Sequence, residues 1–222
     1  DVYKRQVKEL RKDFTGTDIV DTNYKLYRKI RNNIKITVRK NGKEDFEFIK
    51  LIDFEHSENN TFTAVSQMWI QGKVYYRRPD ILIFVNGMPL VFIELKNSII
   101  KVEEAYNKNL KDYLKDIPNL FAFNQICVLS NGLETKLGAF NATYDYFFEW
   151  LKVDSEKEKL DREAILSAES VKDSSVRYFV DGLLKKDKLI DYIENFILFE
   201  NQRIKIIAKN HQYLGVNNLM VS

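Results

Sequence analysis

The segment from Asp80 to Lys96 constrains the fold more than any other part of the chain. It consists of Ile-Leu-Ile-Phe-Val, an Asn-Gly pair and then Met-Pro-Leu-Val-Phe-Ile, with charged residues only at its two ends. Two apolar runs separated by turn residues predict a hairpin of buried strands. Because burial of an unpaired charge is costly, Asp80, Glu94 and Lys96 require partners at the strand ends.

The register of this hairpin decides whether its charged ends can act together. With a regular two-residue turn, Asp80 pairs with Ile93, and Asp80 and Glu94 lie on opposite faces of the sheet. A three-residue loop or one bulge shifts the pairing by one position, so that Asp80 faces Glu94 and Lys96 lies on the same face. Pro89 cannot donate a ladder hydrogen bond and favours an irregular exit from the turn. We predict the longer or bulged loop.

Pro-Asp followed by Glu-x-Lys is the set of groups that a magnesium-dependent phosphodiesterase needs. The carboxylates of Asp80 and Glu94 are hard oxygen ligands for Mg²⁺, for which Mn²⁺ substitutes, and the carbonyl of Leu95 offers a further ligand. Lys96 would orient or deprotonate the attacking water and offset charge on phosphorus. We expect the Leu95 side chain to pack into the core. The alternative is that Asp80 is a turn residue and Glu94 and Lys96 form a surface pair.

The rest of the chain predicts an α/β or α+β fold, with a mixed central sheet flanked by helices and a helical C-terminal part. Helices are expected at residues 2–12, 22–32, 99–115, 143–151, 155–170, 174–184 and 187–209. The second begins at a cap formed by Asp21 or Thr22. Strands are expected at 34–38, 46–54, 63–70, 73–76, 81–85, 90–93 and 125–130. The aromatic residues from Trp69 to Tyr76 are expected to pack on the sheet rather than stack on bases.

Composition narrows the chemistry that is available. One Cys and two His leave no internal disulfide and no zinc cluster, and the single Cys fits a cytoplasmic location. No apolar run reaches the roughly 20 residues of a membrane span. Residues 1–43 hold thirteen Lys and Arg against five Asp and Glu, a net +8, so the other 179 residues carry −5 of the total of +3. Such a basic segment suits either a phosphate backbone or a solvated helix face.

Several further motifs surround the acidic residues. They are Asn-Asn-Thr-Phe at 59–62, Arg-Arg-Pro-Asp-Ile at 77–81, Phe-Val-Asn-Gly-Met-Pro-Leu at 84–90 and Glu-Leu-Lys-Asn at 94–97. Further matching positions are 118–121, Asn124, 130–132, Trp150, 182–184, 195–199, 205–208 and 211–213. From about residue 50 to 222, this pattern resembles the nuclease domain of the motor (R) subunit of Type I restriction-modification enzymes. That domain is a PD-(D/E)xK nuclease of the RecB-like group.

The resemblance implies that Asp80 and Glu94 bind Mg²⁺ and that Lys96 is the catalytic lysine. The family places Gln-x-x-x-Tyr on the helix after the catalytic strand, where this chain has Asn109 and Tyr113. These two residues either support the site and the DNA, or are an exposed Asn and a packed Tyr.

Arg77 and Arg78, beside the site, are expected either to hold the DNA backbone or to pair with acidic helices. Gln212 resembles the glutamine that contacts ATP at the entry of the family's motor. Since no G-x-x-x-x-G-K-[ST] motif is present, ATP is expected only in the full-length subunit.

We therefore expect an endonuclease domain at residues 1–200 and, at 201–222, the start of a linker into a helicase-like motor. The expected activity is Mg²⁺-dependent hydrolysis of double-stranded DNA after ATP-driven translocation. The resemblance implies modification (M) and specificity (S) subunits as partners. A repair or recombination nuclease of the same superfamily is one alternative. A nuclease-like module that clamps DNA or supports assembly without cutting is the other.

Overall fold

The apolar hairpin forms the middle of a six-stranded mixed sheet in the computed structural model, which describes residues 2–15, 18–40, 42–159, 161–167 and 174–221. The strands in chain order are β1 Ile34–Lys40, β2 Lys43–Ile49, β3 Phe62–Ser66, β4 Ile70–Gln71, β5 Tyr76–Arg77, β6 Ile81–Val85, β7 Met88–Leu95, β8 Ile126–Ser130, β9 Thr135–Gly138, β10 Phe148–Glu149, β11 Ile197–Glu200 and β12 Ile204–Ile207. The sheet has the order β10-β9-β8-β7-β6-β3. Adjacent strands in this sheet are antiparallel, except for β7 and β8, which are parallel.

Helices cover both faces of this sheet. They are α1 Val2–Arg11, α2 Ile19–Asn32, α3 Val102–Glu104, α4 Lys111–Asp116, α5 Arg162–Leu166, α6 Val176–Leu183, α7 Lys186–Asn195 and α8 Asn210–Val221. Short 3₁₀ turns occur at Lys12–Thr15, Ser57–Asn59, Pro118–Ala122 and Tyr144–Tyr146. A π-helical turn, Ala105–Leu110, joins α3 to α4, and together these three pieces form the crossover helix between the parallel strands β7 and β8. Across the residues that the structure describes, no helix combines the length and apolar character of a membrane span.

Alternation along β7 divides the core into two layers. Val91 and Ile93 point into a cluster with α2, α6 and α7, whereas Phe92 points into a cluster with the crossover helix. Cys127 of β8 is fully buried in the second cluster. Glu94 follows Phe92 by two positions, so β7 directs it towards the crossover helix. The mixed α/β fold expected from the sequence is confirmed.

A buried lysine joins the C-terminal hairpin, β11 and β12, to the sheet. Lys205 is 3% exposed, and its Nζ donates to Asn124 O (2.6 Å), Gln125 Oε1 (2.8 Å) and Asn23 Oδ1 (3.2 Å). Burial lowers the pKa of Lys205 far below its ordinary value. These contacts fix the hairpin against α2 and the start of β8. The predicted domain boundary at residue 200 therefore falls inside this hairpin.

Several predictions of local structure are wrong, among them the strand predicted at 73–76, of which only Tyr76 lies in a strand. The helix predicted at 187–209 ends at Asn195, because Asn201 and Gln202 adopt positive φ and turn the chain into the β11–β12 hairpin. The C-terminal part is thus not purely helical. The helix predicted at 143–151 is a 3₁₀ turn followed by β10, an edge strand paired with β9. Helix α2 begins one turn earlier than predicted, since Asp18 caps it by accepting from Val20 N at 2.9 Å.

Other predicted elements agree in part. The helix predicted at 174–184 corresponds to α6 and that at 2–12 to α1. Part of the predicted 155–170 helix lies outside the described residues. Within the described part, the helix is limited to α5.

Candidate active site

The β6–β7 hairpin combines a two-residue turn with a bulge. Val85 pairs with Met88 across the Asn86-Gly87 turn, whose φ angles are 50° and 81°. The register then shifts by one residue at Leu90, so that Ile81 pairs with Ile93. The bulged register predicted from the sequence is confirmed. If this register is continued by one position beyond Ile81 and Ile93, Asp80 lies opposite Glu94.

The two strand ends are joined through Asp80. Its Oδ2 accepts a hydrogen bond from the amide of Leu95 at 2.8 Å, and the side chain is half-buried. Its carbonyl accepts from Gln67 N at 2.8 Å, which fixes the residue to the end of β3 as well. Asp80 is therefore held between the ends of β3 and β7 rather than placed in a free turn.

Glu94 is buried with one oxygen unsatisfied. The residue is 2% exposed, its Oε1 accepts from Lys96 Nζ at 2.7 Å, and its Oε2 has no hydrogen-bond partner among the described residues. Burial raises the pKa of Glu94 above its ordinary value, the Lys96 hydrogen bond opposes this, and the neighbouring carboxylate of Asp80 adds to the increase. Lys96 and Glu94 form a largely buried pair rather than the surface pair of the alternative interpretation.

The crossover helix closes the site with Tyr113 and Asn109. Tyr113 is 6% exposed, and its hydroxyl donates to the carbonyl of Arg78 at 3.3 Å. Burial, assisted by the charge of Glu94, raises the pKa of Tyr113 to about 12, and a hydrogen bond with Asn109 opposes the shift. Asn109 is half-buried and lies in the π-helical turn. Such turns occur frequently at functional sites, because the extra residue re-aims the side chains that follow.

The two arginines have different surroundings. Arg77 donates through Nε to Asp116 Oδ2 at 2.8 Å, pairs through its NH2 group with the same carboxylate, and lies 3.3 Å from Asp112. The alternative that it pairs with an acidic helix is therefore the one observed. Arg78 is exposed and lies over the ring of Trp69, 5.0 Å from its centre. Its predicted contact with DNA remains a prediction.

Two expectations about apolar residues near the site are wrong. Leu95 does not pack into the core but is 38% exposed, because it is the last residue of β7 and extends beyond the layer that covers Val91 and Ile93 on the same face. The aromatic residues Trp69, Tyr75 and Tyr76 do not pack on the sheet and are 63%, 58% and 60% exposed. The role of the Leu95 carbonyl as a metal ligand remains a prediction.

Gln212 lies far along the chain from these residues, in the first turn of α8. Its Oε1 accepts from Lys209 N at 2.8 Å, and the side chain is exposed. This contact caps the helix locally. The predicted contact with ATP depends on a motor segment and remains a prediction.

The chemistry of the site fits a hard divalent cation. Asp80 and Glu94 supply carboxylate oxygens from adjacent strand ends, and Oε2 of Glu94 is a buried acceptor that no donor meets among the residues that the structure describes. A buried carboxylate without compensation is expensive, and a cation that accepts its free lone pair removes that cost. Asp80 and Glu94 are the residues that would hold Mg²⁺.

The raised pKa of Glu94 leads to a prediction for the metal-free protein. A raised folded-state pKa means that stability is highest below the ordinary pKa and declines as the pH rises through the raised value. We expect Glu94→Gln, which has no charge to bury, to unfold at a higher temperature than the parent in EDTA at about pH 8. The difference should vanish at about pH 4, where Glu94 is protonated. Thermal unfolding followed by circular dichroism measures this, and a less stable variant at both pH values contradicts it.

This mixed sheet with its covering helices is a nuclease-like α+β fold. Residues 2–146 match the family described as Type I restriction enzyme R protein N terminus, and the chain belongs to this family. It is 37% identical over 213 residues to the Type I restriction enzyme HindI endonuclease subunit of Haemophilus influenzae, covering 92% of this chain and 19% of that protein. It is 33% identical over 225 residues to the putative type I restriction enzyme MjaIXP endonuclease subunit of Methanocaldococcus jannaschii, covering 92% and 21%. The chain thus spans about a fifth of these relatives' length.

Proposed function

We propose that this chain is the Mg²⁺-dependent endonuclease domain of a Type I restriction enzyme R subunit and that it hydrolyses phosphodiester bonds of double-stranded DNA. The observation that carries the proposal is the buried, unpartnered Oε2 of Glu94, set beside Asp80 and Lys96 at the ends of paired strands. A divalent cation held between Asp80 and Glu94 would satisfy this acceptor and offset the cost of burying its charge. Membership of the R protein family supports the assignment.

The residues divide the chemistry among them. A bound Mg²⁺ supplies Lewis acidity towards a phosphate oxygen and lowers the pKa of coordinated water. Asp80 and Glu94 hold the cation, while the amide of Leu95 fixes the orientation of Asp80. Lys96 Nζ, which donates to Glu94 in this structure, would orient the attacking water and offset negative charge on the phosphate oxygens. Tyr113 stays protonated and anchors the Arg78 carbonyl at the edge of the site.

The larger protein supplies the remaining functions in this proposal. ATP is used by the full-length subunit for translocation, with Gln212 at the entry to its nucleotide site, and cleavage follows. Separate modification (M) and specificity (S) subunits methylate and select the DNA. Arg78 contacts the DNA backbone, whereas Arg77 is committed to Asp116 and Asp112.

Metal binding tests the proposal directly. Titration with Mn²⁺ by calorimetry should show a site that Glu94→Gln weakens at least about 10-fold, since one of two charged ligands is lost. The matched control is Glu55→Gln, because Asp53, Glu55 and His56 form the one group of three metal-type ligands that lie together among the described residues. Binding that is lost with Glu55→Gln and kept with Glu94→Gln would assign the metal to that loop and contradict the proposal.

Asn109, where the family pattern has Gln, favours the second candidate function, a module that clamps DNA without cutting. The shorter amide of Asn109 still reaches Tyr113. A clamp of this kind would hold DNA without a bound metal ion. DNA binding that persists without any Mn²⁺ binding would support the clamp.

A further inference from the structure

The small β4–β5 hairpin presents an aromatic and cationic surface to solvent. Ile70 pairs with Arg77 and Gln71 with Tyr76, so that Trp69, Gln71, Tyr76 and Arg78 share the opposite face from Ile70 and Arg77. Trp69 and Tyr76 are 63% and 60% exposed, and the Arg78 guanidinium lies over the Trp69 ring. We call these four residues the aromatic face. A contiguous patch of exposed rings beside a guanidinium is the kind of surface that marks an interaction site, in contrast to rings that are exposed singly.

The hairpin is fixed from behind. Ile70 packs against the cluster that contains Phe92, and Arg77 is held by Asp116 of α4. Gly72 lies so close to the Asp116 carbonyl that an added Cβ would be 2.1 Å from its oxygen. The rings are thus carried on a rigid support, and little side-chain or backbone freedom remains to be lost on binding.

The aromatic face adjoins the candidate metal site. Gln67, where the chain leaves β3 for the hairpin, donates to the Asp80 carbonyl, and Arg78 precedes Asp80 by two residues. The Arg78 carbonyl also accepts from Tyr113. A DNA strand whose phosphate lies at Asp80 and Glu94 would place its neighbouring nucleotides against these rings.

The charge of this segment complements DNA. Residues 59–79 contain three basic residues and no acidic one. Within the part of the chain that the structure describes, Lys73 and Arg78 have no carboxylate within ion-pair distance. Trp, Tyr and Arg side by side can stack on the faces of bases and contact the backbone phosphates.

We propose that the aromatic face binds unstacked nucleotides next to the scissile phosphate, so that the preferred DNA is a duplex with a single-stranded segment beside the cut. In an intact duplex the base faces are covered by their neighbours, and only bases that have left the stack can lie on Trp69 and Tyr76. This inference rests on the proposed nuclease function and names the form of DNA that the site takes.

Tryptophan fluorescence of the 222-residue chain, in EDTA to prevent cleavage, tests the proposal. Of the two tryptophans, Trp69 is exposed and Trp150 is 2% exposed, so the quenchable signal comes from Trp69. A 12-nucleotide oligo(dT) should quench it, whereas a 12-base-pair blunt duplex at the same concentration should quench it far less. Equal quenching by both would overturn the proposal.

Variants separate stacking from general attraction to charge. Trp69→Ala should weaken oligo(dT) binding roughly 10-fold by anisotropy of labelled DNA, and Trp69→Phe should retain most of it. Tyr146→Ala is the matched control, since Tyr146 is 64% exposed and lies by β10, at the opposite edge of the sheet from β3. Unchanged DNA binding by Trp69→Ala overturns the proposal. So does a self-association that Trp69→Ala abolishes while DNA binding stays the same, which would make the face a protein contact.

The failure of this inference is distinguishable from failure of the nuclease function. Mn²⁺ binding and its loss with Glu94→Gln do not involve Trp69. If Trp69→Ala leaves both metal and oligo(dT) binding unchanged, the metal site stands and only the role of the aromatic face is wrong.

Discussion

Asp80→Asn is expected to lower DNA cleavage by roughly 10³-fold or more in the full-length subunit assembled with its partners. The substitution removes one of two negative ligands but keeps an oxygen that can accept from the Leu95 amide, the 2.8 Å contact that ties the strand ends together. The fold should therefore survive while cation binding fails. Conversion of supercoiled plasmid to linear DNA measures the rate, and thermal unfolding checks the fold.

Asp145→Asn is the control for this substitution, because Asp145 is exposed in the 3₁₀ turn Tyr144–Tyr146. Its cleavage rate should stay within about 2-fold of the parent, as expected for a surface substitution away from any site. Persistent cleavage by Asp80→Asn in the assembled enzyme would remove Asp80 from the site. It would also leave the Glu94–Lys96 pair as a structural feature.

The sequence was sufficient to predict the β6–β7 hairpin, its bulge and the charged residues Glu94 and Lys96 at its end. The reason is local: buried apolar runs, the Asn-Gly turn and Pro89 restrict one short segment strongly. The same reasoning failed at 187–209, where Phe196 and Ile197 continue the helical spacing past the true end at Asn195. There the pairing of β11 with β12 and the burial of Lys205 decide the structure, and both depend on contacts distant in sequence.

The solvent exposure of side chains was harder to predict from the sequence than the pairing of strands. Leu95 and Trp69 are apolar, and nothing in their spacing shows that no further layer covers them. The close approach of Gly72 to Asp116, which fixes one side of the small hairpin and leaves the other in solvent, joins residues more than forty positions apart. The different surroundings of the two arginines have the same origin: Arg77 meets two acids of α4, and Arg78, one residue on, points away from them.

Phe92→Ala is expected to cause the largest loss of stability, roughly 3–5 kcal/mol in the free energy of unfolding. Phe92 is fully buried, two positions before Glu94 on β7, with ring centres 5.7 Å from Tyr113 and 5.6 Å from Phe121. Its loss leaves a cavity between the sheet and the crossover helix. The free energy of unfolding of a native domain is only about 5–15 kcal/mol. Phe92→Ala should therefore unfold at a much lower urea concentration than the parent.

Phe48→Ala is the matched control, because the same side chain on β2 is 64% exposed and its removal opens no cavity. Its effect should stay within about 0.5 kcal/mol. The packing of Phe92 against Tyr113 also positions the helix that closes the site, so we expect Phe92→Ala to weaken Mn²⁺ binding even at a temperature where it is fully folded. Equal stability losses for the two phenylalanine variants would show that the layer between β7 and the crossover helix contributes little to the fold or to the site.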